Sequence, residues 1–185
     1  FGINIVVNTK SKHSKLFCGD FHDAWIKSCK YVDDCYGVPI EKEADIVIAS
    51  CGGYPKDINL YQSTKSIFNA ARAVKKGGTV IFLAECREGG GAPDFFSWIE
   101  PLKRGVLDEE LRANFTIGGY IFYALCEAIA KSDMLMLSEI DQNFVKDLNI
   151  NSYKNIDELL EKVDFEGKDV CVLPYGGSVV PLLQD

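Results

Sequence analysis

The chain has 185 residues, 47% of them apolar and 25% charged, with a formal net charge of −7. That is the composition of an ordinary globular domain with enough chain to bury one full core. The acidic balance, with no lysine or arginine run, excludes nucleic acid or an anionic membrane as the main partner. No apolar run approaches the roughly 20 residues that span a bilayer.

Seven cysteines, Cys18, Cys29, Cys35, Cys51, Cys86, Cys126 and Cys171, are odd in number, with no C-x-x-C spacing. They read as reduced thiols packed in the core of a cytoplasmic protein. No metal site is expected from His13, His22, Cys18 and Cys29, because zinc ligands come in close pairs and these do not. No signal-peptide pattern opens the chain. It starts at Phe1 inside a strand pattern, without an initiator methionine, so a piece of a longer protein is expected.

In chain order, residues 3–8 and 15–18 read as two strands joined by a polar turn at 9–14. Gly19 and Asp20 cap a helix over 21–36. Gly37-Val38-Pro39 ends it and begins an extended segment. Residues 45–50 form a short β-branched run suited to a buried parallel strand. A helix over 59–75 follows and stops at Gly77-Gly78. The next buried strand is 79–84. A loop over 85–93 carries three successive glycines, and helical pieces follow at 95–103 and 108–114. Gly118-Gly119 precedes a helix over 120–131. Residues 134–137 form a strand, 155–163 a short helix and 169–173 the last strand. The chain then runs into Pro174-Tyr175-Gly176-Gly177-Ser178.

Strands alternate with helices from residue 45 onward. The fold expected is α/β: an open, mostly parallel, doubly wound, Rossmann-like sheet in three layers with an N-terminal β-hairpin. No repeat, low-complexity tract or linker divides it, so residues 1–185 read as a single domain.

In such sheets ligands sit outside the carboxyl ends of the strands. Cys51-Gly52-Gly53-Tyr54-Pro55 falls at such an end, and the helix after it is expected to aim free N–H groups at the same crevice. Leu60, Thr64, Ile67, Ala71 and Val74 make the core face of that helix. Tyr61, Gln62 and Lys65 then share the non-core side in its first two turns. The helix dipole disfavours a cation there by about 0.3–1 kcal/mol, a conflict that an anionic ligand relieves. A solvated polar face with an incidental lysine explains the same pattern. Arg87, in the loop after the next strand, either holds an anion or pairs with Glu85 or Glu88; local pairing is favoured. Trp25 and Trp98 read as packing anchors. Tyr175 with its two glycines reads as a structural turn.

The stretch from Gly52 through Pro55 and Asn59 to Lys65 resembles the C-terminal domain of the nickel-dependent lactate racemase family. So do the run from Lys76 to Gly89, the segment Tyr36-Gly37-Val38-Pro39 and the closing Pro174-Tyr175-Gly176-Gly177-Ser178. The resemblance implies the C-terminal, substrate-contacting domain of a two-domain 2-hydroxy acid racemase or epimerase. It implies a hydride shuttle to a nickel pincer nucleotide, held with the acid–base histidines by an N-terminal domain outside this sequence. No catalytic residue and no cofactor are expected in this chain, and His13 and His22 take no such role. By the same resemblance Lys65 pairs with the carboxylate of a small 2-hydroxy acid, Gln62 hydrogen-bonds it, and Tyr61 is the adjacent tyrosine. Tyr120 stands where the lactate enzyme has tryptophan and other relatives have histidine, which would line the pocket and change the substrate; an ordinary amphipathic helix position explains Tyr120 equally. Gly52, Gly53 and Arg87 form a possible site loop. The alternative is a non-catalytic domain that holds a small anion or nucleotide, although the G-x-G-x-x-G run of a dinucleotide site is missing. A third reading is a domain kept for assembly, against which Gln62 and Lys65 are both present.

Overall fold

The computed structural model describes residues 1–8 and 12–184. Two compact units form, Phe1–Pro39 and Ile40–Asp185.

In the first unit β1 (Gly2–Val7) pairs antiparallel with β2 (His13–Gly19), Ile3 opposite Cys18 and Ile5 opposite Leu16. Turn residues 9–11 lie outside the described residues, and β2 begins two residues before the expected start. Asp20 caps α1 (Phe21–Tyr36): its carboxylate accepts the N–H groups of His22 at 3.0 Å and Asp23 at 3.2 Å. Only Ala24 and Ser28 of α1 are buried, so the helix has a narrow packed stripe. Trp25 therefore stands half exposed and is no core anchor. β3 (Gly37–Ile40) leads out of this unit.

The second unit carries β4 (Ala44–Ser50), α2 (Leu60–Ala73), β5 (Val74–Leu83), α3 (Pro93–Phe96), α4 (Ile99–Lys103), α5 (Leu107–Ala113) and α6 (Ile117–Ile129). Then come β6 (Asp133–Leu137), α7 (Gln142–Val145), β7 (Ile150–Tyr153), α8 (Ile156–Leu160), β8 (Val170–Leu173) and β9 (Val180–Leu183). Five strands form one parallel sheet in the order β7-β6-β5-β4-β8. Because side chains alternate along a strand, each strand feeds two cores. Val47, Ala49, Val80, Phe82, Met134 and Met136 point to one face and pack with Leu60, Ile67, Phe95, Phe122 and Leu125. Ile46, Ile81 and Leu135 point to the other, where α8 supplies Leu159. The three layers are thus unequal. The second is thin, and Val172 at the sheet edge is 57% exposed.

Two boundaries differ from expectation. Helix α2 ends at Ala73, and Val74 is already extended, at φ −93° and ψ 140°. Ala44 pairs with Val74 and Ile46 with Thr79, so the residues around Gly77-Gly78 form an irregularity inside β5 and do not stop the helix. Gly118-Gly119 lies within the first turn of α6 and not before it, because Thr116 is the cap, its hydroxyl accepting the Gly119 N–H at 3.0 Å. A Cβ on Gly119 would come within 2.5 Å of the Trp98 ring, so glycine there lets that indole pack on the helix. β7, β9 and α7 are additions to the elements expected.

Candidate functional site

The Cys51–Asn59 loop leaves the carboxyl end of β4 and enters α2. Gly52 and Gly53 adopt φ of +85° and +79°, and a Cβ on Gly52 would meet the Tyr175 ring at 2.9 Å. Both the backbone and the tyrosine overhead therefore require glycine at 52. The turn that carries Tyr175 packs back on α2, where Asn69 donates to the Gly176 carbonyl at 2.7 Å.

The start of α2 offers no free N–H groups to a ligand, contrary to expectation. Leu60 donates to the Gly89 carbonyl at 2.9 Å and Tyr61 to that of Gly90 at 3.2 Å. The Asn59 side chain accepts from Gln62 N–H at 2.9 Å, and its carbonyl from Ser63 at 3.1 Å. The three-glycine loop after β5 has folded over the helix end and satisfied it. Any anion at this helix is held by side chains.

The Lys65 ammonium donates to Gln62 Oε1 at 3.0 Å on the outer surface of the helix. That bond leaves the Gln62 NH₂ and the remaining ammonium hydrogens free to donate, and one lone pair of Oε1 free to accept. Tyr61 does not stand beside them on a polar face. Its ring packs edge-on against Phe95 at 5.2 Å, and Phe95 continues to Phe122 at 5.5 Å. The core face is rotated from the one expected: Leu60, Thr64 and Ile67 are buried as foreseen, but with Ser63, Ser66, Ala70 and Ala73, while Ala71 is half-buried. The buried hydroxyls are satisfied locally, Ser63 donating to the Asn59 carbonyl at 3.0 Å and Thr64 to that of Tyr61 at 2.8 Å.

Arg87 does not pair with Glu85 or Glu88. Its guanidinium lies over the Tyr54 ring, 4.3 Å from the centroid, which joins the two loops at the carboxyl edge of the sheet. Lys56 donates to the Ser178 hydroxyl at 3.1 Å. Tyr120 is exposed at the start of α6 with Phe115 as ring neighbour at 6.3 Å, and no described hydrogen bond or ring contact joins it to Tyr61, Gln62 or Lys65.

Below the loop lies a group that the sequence did not single out. Asp57 is 7% exposed. Its Oδ2 accepts the Glu85 N–H at 3.2 Å, while Oδ1 has no hydrogen-bond partner among the described residues. It lines a crevice of about 470 Å³ at the ends of β4, β5 and β6, with Ser50, Leu83, Glu85, Ser138 and Lys154 among its walls. Cys86, held at φ +50°, and Cys51 are buried nearby. Burial pushes the Cys86 thiol up to about 11 and the Cys51 thiol in the same direction. Both therefore stay protonated near neutral pH and neither is poised as a nucleophile. Cys18 and Cys35 are exposed, so not all the cysteines are core residues.

No group of three or more His, Cys, Asp or Glu side chains able to hold a metal ion lies together among the described residues. No described helix is long and apolar enough to cross a membrane.

The fold and the outer face of α2 define an open-sheet α/β domain that presents an amide and an ammonium at the carboxyl edge of its sheet. Residues 40–181 match the family model of the lactate racemase C-terminal domain, and the chain belongs to that family. It is 31% identical over 189 residues to a lactate racemase of Thermoanaerobacterium thermosaccharolyticum and 27% identical to one of Lactiplantibacillus plantarum. Each alignment covers 97% of this chain and 44% of the relative, so the chain spans less than half the length of the enzymes it matches. The solved lactate racemase apoprotein of T. thermosaccharolyticum superposes with a TM-score of 0.80 at 30% identity, over 97% of this chain and 45% of that one. A Thermotoga maritima protein shares the fold at a TM-score of 0.62 and 13% identity, over 98% of this chain and 48% of that one.

Proposed function

We propose that residues 1–185 form the C-terminal, substrate-contacting domain of a 2-hydroxy acid racemase or epimerase, and that the other half of the enzyme is a separate N-terminal domain. The observation that carries this reading is the Gln62–Lys65 pair. The 3.0 Å bond between them sets an ammonium and a carboxamide side by side, with the remaining ammonium hydrogens and the Gln62 NH₂ free to donate. A carboxylate is an acceptor-only group with about four lone-pair sites, so it fits such a pair, and a neutral carbonyl or hydroxyl fits it less well. The family and the two curated relatives support racemisation as the reaction.

Lys65 supplies the positive charge and Gln62 a directional N–H, so the substrate carboxylate is held at two points and its Cα is turned toward the second domain. Tyr61 precedes Gln62 in the first turn of α2 and, packed on Phe95, anchors that turn to the core. Gly52, Gly53 and the Arg87–Tyr54 stack form the adjoining rim, and Tyr120 is assigned to the pocket wall once the second domain closes over it.

The family implies a nickel pincer nucleotide, and the described residues gather no group of three or more His, Cys, Asp or Glu side chains that could hold a metal ion by themselves. We assign the cofactor and the acid–base histidines to the N-terminal domain and derive no step through them. The substrate is a small 2-hydroxy acid, with lactate the first candidate. A non-catalytic anion-binding domain would use the same pair. The two are separated by incubating the full-length, nickel-loaded protein with several optically pure 2-hydroxy acids and following optical rotation. Racemisation of at least one acid is expected, and none at all would leave the binding-domain reading.

A further inference from the structure

The Phe1–Pro39 unit is covered on one side of its hairpin and bare on the other. On the covered side α1 packs against the strands: Phe17 meets Tyr31 with ring centroids 5.7 Å apart, and a Cβ on Gly2 would come within 2.7 Å of the Phe21 backbone. On the bare side Ile3 lies opposite Cys18 and Ile5 opposite Leu16. Directly opposed residues share a face of the sheet, and so do residues two apart on one strand. Ile3, Ile5 and Leu16 are each more than half exposed, with Cys18 exposed among them.

Little inside the unit holds it together. Among its described residues only Val6, Ala24 and Ser28 are buried. A piece of fewer than about 40 residues needs a disulfide, a metal or a further polypeptide surface to stay folded, and a two-stranded hairpin is marginal for the same reason. Cys18, Cys29 and Cys35 are free, and no metal-binding group gathers among the described residues. A polypeptide surface is what remains.

Two observations point to which surface. The match to the family's C-terminal domain begins at residue 40, where the second compact unit also begins, so residues 1–39 lie outside it. Both curated relatives nevertheless carry 97% of this chain, within a polypeptide of which the match covers only 44%. We propose, on the two-domain reading above, that the Ile3–Ile5–Leu16–Cys18 face is the seat of the enzyme's N-terminal domain, which covers it with an apolar surface of its own. A domain tethered in the same polypeptide is present at an effective concentration of order millimolar, so it displaces a second copy of the chain from that face.

Thiol labelling of the full-length protein tests this without reference to activity. The native protein is treated with iodoacetamide, and the rates at Cys18 and at Cys35, which is exposed on α1 of the same unit, are each divided by the rate in urea. On that scale Cys18 is expected to react at least about tenfold more slowly than Cys35, because docking covers one thiol and not the other. Equal rates would overturn the proposal, and so would protection of Cys18 that is lost on dilution, which belongs to a second copy. In a second arm, Ile5→Asp places a carboxylate where the hairpin by itself tolerates it and a docked face does not. The melting temperature of the full-length variant is expected to fall by at least about 2 °C, and an unchanged value would overturn the proposal. The labelling of the unmodified protein stands even if the variant folds poorly. A full-length protein that protects Cys18 yet racemises no 2-hydroxy acid would keep this interface and lose the proposed function.

Discussion

Two regions a few residues apart in sequence carry opposite chemistry. The outer face of α2 is rich in donors, with the Lys65 ammonium bonded to Gln62 Oε1 beside the Gln62 NH₂. The loop before α2 buries a spare acceptor, because Asp57 receives only one N–H for its two oxygens among the described residues. The difference arises from where backbone N–H groups go. At the start of α2 they are all consumed by glycine carbonyls and Asn59, so the helix end itself attracts nothing. At this helix end, polarity toward a ligand is therefore set by side chains, the exposed Lys65 and the half-buried Gln62 among them.

Charge reversal at the donor surface should have the largest effect. Lys65→Glu replaces attraction for a carboxylate with repulsion, and kcat/KM of the full-length enzyme is expected to fall by at least about 100-fold, or about 2.7 kcal/mol. Lys65 is exposed, so the far-UV circular dichroism of the variant should be unchanged. Gln62→Ala removes a neutral donor worth about 0.5–1.5 kcal/mol, a loss of roughly 2- to 12-fold in kcat/KM. At the buried acceptor the effect should appear in stability and have the opposite sign. Asp57→Asn replaces a buried, half-satisfied carboxyl with a neutral amide and keeps an oxygen for the Glu85 N–H. The melting temperature is expected to rise, by about 1 kcal/mol in stability, measured by thermal denaturation. A fall in melting temperature would show that the carboxylate is satisfied in the free protein.

The smallest effect lies at the opposite end of the sheet and serves as a control. Lys75 bonds Asp45 at 2.8 Å. That bond, followed by the Asp169 N–H, holds the Asp45 carboxyl below the usual carboxylate range, and the Asp45 bond raises Lys75 in turn. The Asp45 contribution is present above the ordinary aspartate value, about 3.9, and is lost as pH falls through its lowered folded value. The Lys75 contribution is present below about 10.4 and is lost as pH rises through its raised value. Melting temperature should thus fall less steeply on acidification in Asp45→Asn than in the unmodified chain. Ligand binding at the donor surface should not change.

The sequence revealed those parts of the fold that depend on local apolar patterning. Residues 45–50 lie within β4, and 79–83 of the expected 79–84 lie within β5, which ends at Leu83. Strand β7 was not legible, since Asn151 and Ser152 break the apolar pattern and its place depends on pairing with β6. The core face of α2 was read one step off, because Ser63 and Ser66 count as polar in sequence yet are buried against close neighbours. The glycines at 89–91 were visible as a loop, but not their closure over the start of α2, which is a contact between distant segments. Gln62 and Lys65 were singled out by helical spacing and by family resemblance, and the structure places them within 3.0 Å of each other. Asp57 was missed because one acid in a polar loop carries no signal until its burial is known.

The central claim is that Lys65 and Gln62 grip a carboxylate. It is tested most directly by the affinity of the full-length protein for a 2-hydroxy acid and for the corresponding 2-hydroxy amide, with and without Lys65→Ala. The account predicts that the unmodified protein prefers the acid by roughly 10- to 100-fold and that Lys65→Ala removes most of that preference. A preference for the acid that survives Lys65→Ala undiminished would contradict it.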